Sequence, residues 1–153
     1  LGVTADVPRF EGTDNLVAPN SSTGAPHLSS SVTCVVNVYG PSDFTKSYGK
    51  SVDAHEVLPL WLGGNLETAR PRHIESSPLN WVTPAASPTL CIHGTEDKYV
   101  AHEQAVWIVD RLKSSGVEAV LLTLEGAGHG FKGPDAEKAE QALFEFFDKH
   151  LKP

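Results

Sequence analysis

The 153-residue chain contains no methionine. A primary translation product begins with one, and Leu1-Gly2-Val3 opens without the features of a secretory leader, so this absence predicts a processed or truncated piece. Cysteine is nearly as scarce. Cys34 and Cys91 are too few for the disulfide framework of a small stapled domain. Each sits in an apolar run, VTCVVNVY or TLCIHG, that reads as a buried strand, so reduced core thiols are expected and the compartment stays open. No apolar run approaches the roughly 20 residues of a membrane helix, which predicts a soluble chain, cytoplasmic or secreted. Lys and Arg number 12 against 19 Asp and Glu, a formal charge of −7, and nowhere cluster. That distribution argues against a nucleic-acid or anionic-membrane surface. His27, His55, His73, His102 and His150 share no metal-ligand spacing, so no zinc or other metal is expected, and no cofactor.

What is present is ordinary globular composition, 40% hydrophobic and 20% charged, enough for one domain with a real core. Residues 1–31 read as connector and loop, because the stretch from Phe10 to Ser31 is rich in Gly, Pro, Ser and Asn. Residues 32–50 begin with a β-branched run, Val32 to Tyr39, of the kind buried on both faces of a parallel sheet, and continue into a loop after Gly40-Pro41. Residues 51–88 form a helical excursion. Val52 to Gly64 reads as a short helix closed by a glycine pair and kinked or ended early by Pro59; Glu67 to Pro78 reads as a second one broken by Pro71.

Residues 89–153 alternate more regularly. A strand from Thr89 to His93 precedes a helix with Ala105, Ile108, Val109 and Leu112 on one face, ending at Gly116. A strand through Val120 to Leu124 follows. The last helix starts with Pro134 in its first turn and aligns Ala139, Leu143, Phe146, Phe147 and Leu151 in one stripe. Strand, helix, strand, helix with short turns is the pattern of crossover units in a doubly wound α/β sheet.

In such a sheet ligands bind beyond the carboxyl ends of the strands, so the loops there are the natural seat of chemistry. HGTEDKYV follows the strand ending at His93 and offers Glu96 and Asp97. GAGHGF follows the strand ending at Leu124 and offers His129 on a glycine-rich turn. If the two strands are neighbours, an acid and a histidine meet within hydrogen-bond reach. The acid then sets the imidazole tautomer and stabilises the imidazolium formed on proton transfer. His93 reads as structural, and a histidine in a glycine turn can also be no more than a hydrogen-bonded loop residue. Trp61 and Trp81 read as core of the excursion, or else as pocket walls. Tyr39, Asp43 and Phe44 lie just past a strand end, where they could border the site.

The order YGPSDF (39–44), LWLGG (60–64), ESSPLNWVTPAASPTLCIHGTEDKYV (75–100) and EGAGHGF (125–131) resembles the C-terminal half of α/β-hydrolase esterases of the acetyl and feruloyl esterase-like lipase group. The resemblance spans nearly the whole chain. It implies a partial α/β-hydrolase domain over 1–153 with Asp97 as orienting acid and His129 as general base of a Ser-Asp-His triad; Glu96, one position early, is a solvated neighbour. Tyr39, Asp43 and Phe44 by their place past a strand end, and Trp61 by its place in the excursion, are the candidate substrate-binding residues. The implied substrate is a small ester, short acyl or aryl, with plant-polysaccharide esters one candidate.

In this group the serine stands on a GxSxG elbow earlier in the chain, and no GxSxG occurs here. Ser21, Ser22, Ser29, Ser30 and Ser31 lie in a polar stretch, and Ser114 and Ser115 at a helix end. The resemblance places Leu1 about three helical turns beyond the missing serine, with the oxyanion loop also upstream. The chain by itself is therefore expected to be inactive, and to associate with the missing N-terminal half, with a second chain or with itself through an exposed strand edge. Two other readings stay open, a fragment of a prolyl-oligopeptidase-type serine peptidase and a non-catalytic association module.

Overall fold

The structure, a computed structural model, describes residues 2–5, 7, 10 and 30–152. Readings that fall on His27, Ser21, Ser22, Ser29 and most of the 10–31 loop lie outside the described residues. Three parallel strands, β1 (Val35–Val38), β2 (Thr89–Gly94) and β3 (Ala119–Leu124), form one sheet in the order β1-β2-β3. The register sets Asn37 beside Cys91, and Cys91 beside Leu121.

β2 is the axis of the molecule and is buried at every position. Strand side chains alternate faces. Cys91 packs with Ala105, Ile108, Val109 and Leu112 of α3 (Glu103–Ser114), whereas Leu90 and Ile92 pack with Ala139 and Phe146 of α4 (Pro134–Leu151). The sheet is thus covered on both faces, as the alternating pattern predicts. Both cysteines are free and buried, and burial pushes the Cys91 thiol up to about 12, an inert core group.

β1 departs from expectation in two ways. It is shorter than the run from Val32 to Tyr39: pairing with β2 starts only at Val35, opposite Thr89, and Tyr39 turns out of the strand at φ 46°. It is also half-buried rather than buried on both faces, since among the described residues only β2 pairs with it and its outer edge has no neighbouring strand. In α4 the stripe holds for Ala139 and Phe146, with Leu143 and Phe147 partly buried, but Leu151, the last helical residue, is 58% exposed.

The excursion from β1 to β2 contains α1 (Ala54–Leu62) and α2 (Arg70–Ser76), flanked by 3₁₀ turns at Phe44–Lys46 and Pro78–Trp81. Pro59 lies inside α1 without ending it, and Gly63 closes the helix at φ 72°, a conformation that costs other residues more. Pro71 starts α2 instead of breaking it: in the first turn its missing N–H removes a donor that would have had no helical partner. Ala54, Leu58 and Leu62 bury against Phe44 and Tyr48 in a satellite core. His73 is fully buried beneath it. Its Nδ1 faces the Ala69 carbonyl at 3.0 Å and so carries the proton, leaving Nε2 to accept from the Tyr48 hydroxyl at 2.8 Å.

Candidate active site

The two loops beyond β2 and β3 are stitched together by backbone. Glu96 N–H donates to the Ala127 carbonyl at 2.9 Å, Thr95 N–H to the Leu124 carbonyl at 3.1 Å, and Gly126 N–H to the Thr95 hydroxyl at 2.9 Å. Gly94 makes the approach possible, because a Cβ there would stand 2.2 Å from the Ala127 carbonyl oxygen.

Asp97 projects from this junction with a fully buried carboxylate. Its Oδ1 accepts from Tyr99 N–H at 2.8 Å and Val100 N–H at 2.9 Å; its Oδ2 lies 2.8 Å from His129 Nδ1 and 3.3 Å from His93 Nε2. Burial pushes the Asp97 pKa up, but the bonds from Val100, His129 and Tyr99 outweigh it and hold the carboxyl below its ordinary value. An ionised carboxylate only accepts, so the network assigns the His129 proton to Nδ1 and leaves the lone pair on Nε2. That is the tautomer a general base requires.

The His129 ring is held from two sides, 4.3 Å from the Tyr39 ring and 5.4 Å from the Tyr99 ring between centroids. Its side chain is 33% exposed and borders a cavity of about 400 Å³. Phe44, Val57, Leu58, Trp61 and Tyr99 form the apolar wall of that cavity, with Ser47, Ser51 and Asp53 on its polar side.

The candidates from the sequence are distributed unevenly around this point. Asp97 and His129 are in contact, and Glu96 is exposed beside them. Phe44 and Trp61 line the cavity with rings 5.0 Å apart. Trp61 is 61% exposed, so the core reading fails for it: α1 buries Ala54, Leu58 and Leu62, and Trp61 falls off that stripe. Trp81 is half-buried, donating from Nε1 to the Glu75 carbonyl at 2.7 Å. Tyr39 touches the imidazole without lining the cavity. Asp43 is turned away from it, accepting from Thr45 N–H and hydroxyl as the cap of a 3₁₀ turn, with Lys46 at 3.3 Å. The hydroxyls of Ser47 and Ser51 face Asp43 and Asp53 respectively.

One structural residue gave no signal in the sequence. Gln104, in the first turn of α3, is buried and clamps the loop after β1. Its Oε1 accepts from Ser42 N–H at 2.9 Å and Asp43 N–H at 2.7 Å, and its Nε2 donates to the Asp43 carbonyl at 2.9 Å. A glutamine one turn into an amphipathic helix reads as surface; only the packed loop makes it interior. Among the described residues no group of three or more His, Cys, Asp or Glu side chains could hold a metal.

A parallel sheet covered on both faces, with an acid and a histidine beyond neighbouring strands, defines an α/β-hydrolase. Residues 1–112 match the BD-FAE family, and the chain belongs to that family. The match includes Asp97 and stops within α3, short of His129. The chain is 32% identical over 155 residues to Esterase LipC of Mycobacterium tuberculosis (strain ATCC 25618 / H37Rv), covering 83% of this chain and 38% of that protein. It superposes with TM-score 0.68 on a puromycin-hydrolyzing peptidase of Mycobacterium tuberculosis, at 26% identity over 78% of this chain and 18% of the peptidase. A truncated form of a carbohydrate esterase from gut microbiota has the same fold, with TM-score 0.64 and 24% identity over 80% of this chain and 44% of its own. The chain spans less than half the length of each of these relatives.

Proposed function

We propose that this chain supplies the acid and base of a Ser-Asp-His triad in a carboxylic-ester hydrolase acting on short acyl or aryl esters. The observation that carries the reading is the 2.8 Å bond between His129 Nδ1 and the buried Asp97 Oδ2 at the edge of an apolar cavity. In the reaction a serine Oγ attacks the ester carbonyl while His129 Nε2 takes its proton. Asp97 stabilises the imidazolium, and His129 returns the proton to the leaving alcohol. Water then repeats the cycle on the acyl-enzyme. Phe44 and Trp61 would hold the acyl or aryl group against the cavity wall.

The nucleophile and oxyanion donors would come from an N-terminal half or a second chain docked on the open edge of β1, with 1–153 acting as one partial α/β-hydrolase domain. No metal or organic cofactor takes part. The 153-residue chain on its own is expected to show no ester turnover above background and to self-associate along that edge, which sedimentation and intact-mass measurement check. Among the described residues no helix is long and apolar enough to cross a membrane.

The test is hydrolysis of a short-chain nitrophenyl ester by the protein completed with its N-terminal half. Activity that survives His129→Ala overturns the assignment. The likeness to a peptidase favours a second reading, a serine peptidase of the prolyl-oligopeptidase type; turnover of a peptide amide but not of the ester would favour it. A completed protein with neither activity would be the non-catalytic association module.

A further inference from the structure

His93, near the end of β2, is fully buried directly behind Asp97 and takes no part in the proton transfer by Asp97 and His129. Its Nε2 lies 2.8 Å from the Val100 carbonyl and, as a longer second contact, 3.3 Å from Asp97 Oδ2. Val100 N–H in turn donates to Asp97 Oδ1. Side chain and carboxylate are thus linked through Val100, whose carbonyl takes the His93 proton and whose N–H holds Asp97 Oδ1. The other ring nitrogen, Nδ1, is buried with no partner.

A buried polar atom without a partner carries a cost that an aliphatic residue in the same space would avoid. The compensating feature is the proton on Nε2, which must be there because Val100 offers only a carbonyl oxygen. We propose that His93 is a positioning residue: its Nε2–H pins the Val100 carbonyl and so the Val100 N–H that holds Asp97 Oδ1, fixing the carboxylate in the orientation that holds the His129 proton on Nδ1. Burial lowers the His93 pKa, against the smaller opposing effects of Val100 and Asp97, so the ring stays neutral. A neutral ring beside Asp97 brings no second positive charge that would compete with the His129 imidazolium for it. The inference rests on the acid and base reading of Asp97 and His129.

The test uses the full chain with ¹⁵N-labelled histidine. His93→Leu fills the space without a donor, and His93→Gln restores an N–H at nearly the same reach. The expected result is a His129 Nδ1–H that exchanges with solvent about tenfold faster in His93→Leu, the scale of one modest hydrogen bond, and recovers most of its protection in His93→Gln. A folded His93→Leu with unchanged exchange and tautomer overturns the proposal. Should that variant not fold, the His93 Nε2–H resonance in Asp97→Asn decides. A shift means that this proton and the Asp97 carboxylate are coupled through Val100, and an unmoved signal overturns the proposal. Asp97→Asn also separates the two claims. If it leaves the His129 proton on Nδ1, the acid and base reading itself has failed; if it moves that proton while His93→Leu does not, only the role of His93 has failed.

Discussion

His129 Nδ1 and Asp97 Oδ2 lie 2.8 Å apart, although 32 positions separate the two residues in the chain. The parallel pairing of β2 with β3 creates the contact, since it ends both strands at the same level and directs both following loops over one rim. Gly94 removes the one side-chain atom that would keep those loops apart.

In the completed enzyme, Asp97→Asn and His129→Ala should each lower kcat for a nitrophenyl ester by on the order of 10⁴-fold, with KM little changed. Neither loss should add to the other in the double variant, because the pair acts as a unit. Steady-state kinetics on the three variants checks this.

Acid stability should depend on Asp97 and His93 in the same direction. Asp97 has a folded pKa below its ordinary value, so its contribution is complete above the ordinary carboxylate pKa and is lost as pH falls through the lower folded value. His93 is also held down, from about 6.5, and is neutral when buried; the unfolded chain binds its proton first, so stability falls as pH drops below about 6.5 and stops falling below the folded pKa. His93→Gln should flatten the upper window and Asp97→Asn the lower one, read from denaturant midpoints across pH.

Gln104→Ala should destabilise the fold by about 3 kcal/mol, because it leaves two buried N–H groups, those of Ser42 and Asp43, without an acceptor. Urea unfolding should show a lower midpoint at unchanged slope. An unchanged midpoint would mean that water replaces the carboxamide.

Phe44 and Trp61 should separate stability from selectivity. Phe44→Ala empties a buried position and should cost about 3 kcal/mol, whereas Trp61→Ala, at an exposed ring, should cost less than about 1 kcal/mol. In the completed enzyme Trp61→Ala should raise KM for aryl esters several-fold more than for acetyl esters. Equal changes for both would place the acyl or aryl group elsewhere.

The strands and helices of the second half were legible because their apolar spacing is long and regular: Ala105, Ile108, Val109 and Leu112 all face the core. The excursion was less so. A proline in a short helical pattern reads equally as a start or a break, and only the observed first turn of α2 decides for Pro71. Trp61 read as core of the excursion, yet the satellite cluster is filled by its smaller neighbours on α1.

By itself the sequence determined a doubly wound α/β architecture, the two loops at the strand ends, and the residue types those loops carry, since all of these follow from short-range periodicity and turn chemistry. Tertiary structure decided what touches what. The bond between Asp97 and His129, the proton of His93 turned on Val100, the Gln104 clamp and the exposed face of Trp61 each depend on strand register and on which side of a helix meets another segment. Those relations are set by packing between positions distant in the chain, where local pattern carries no information.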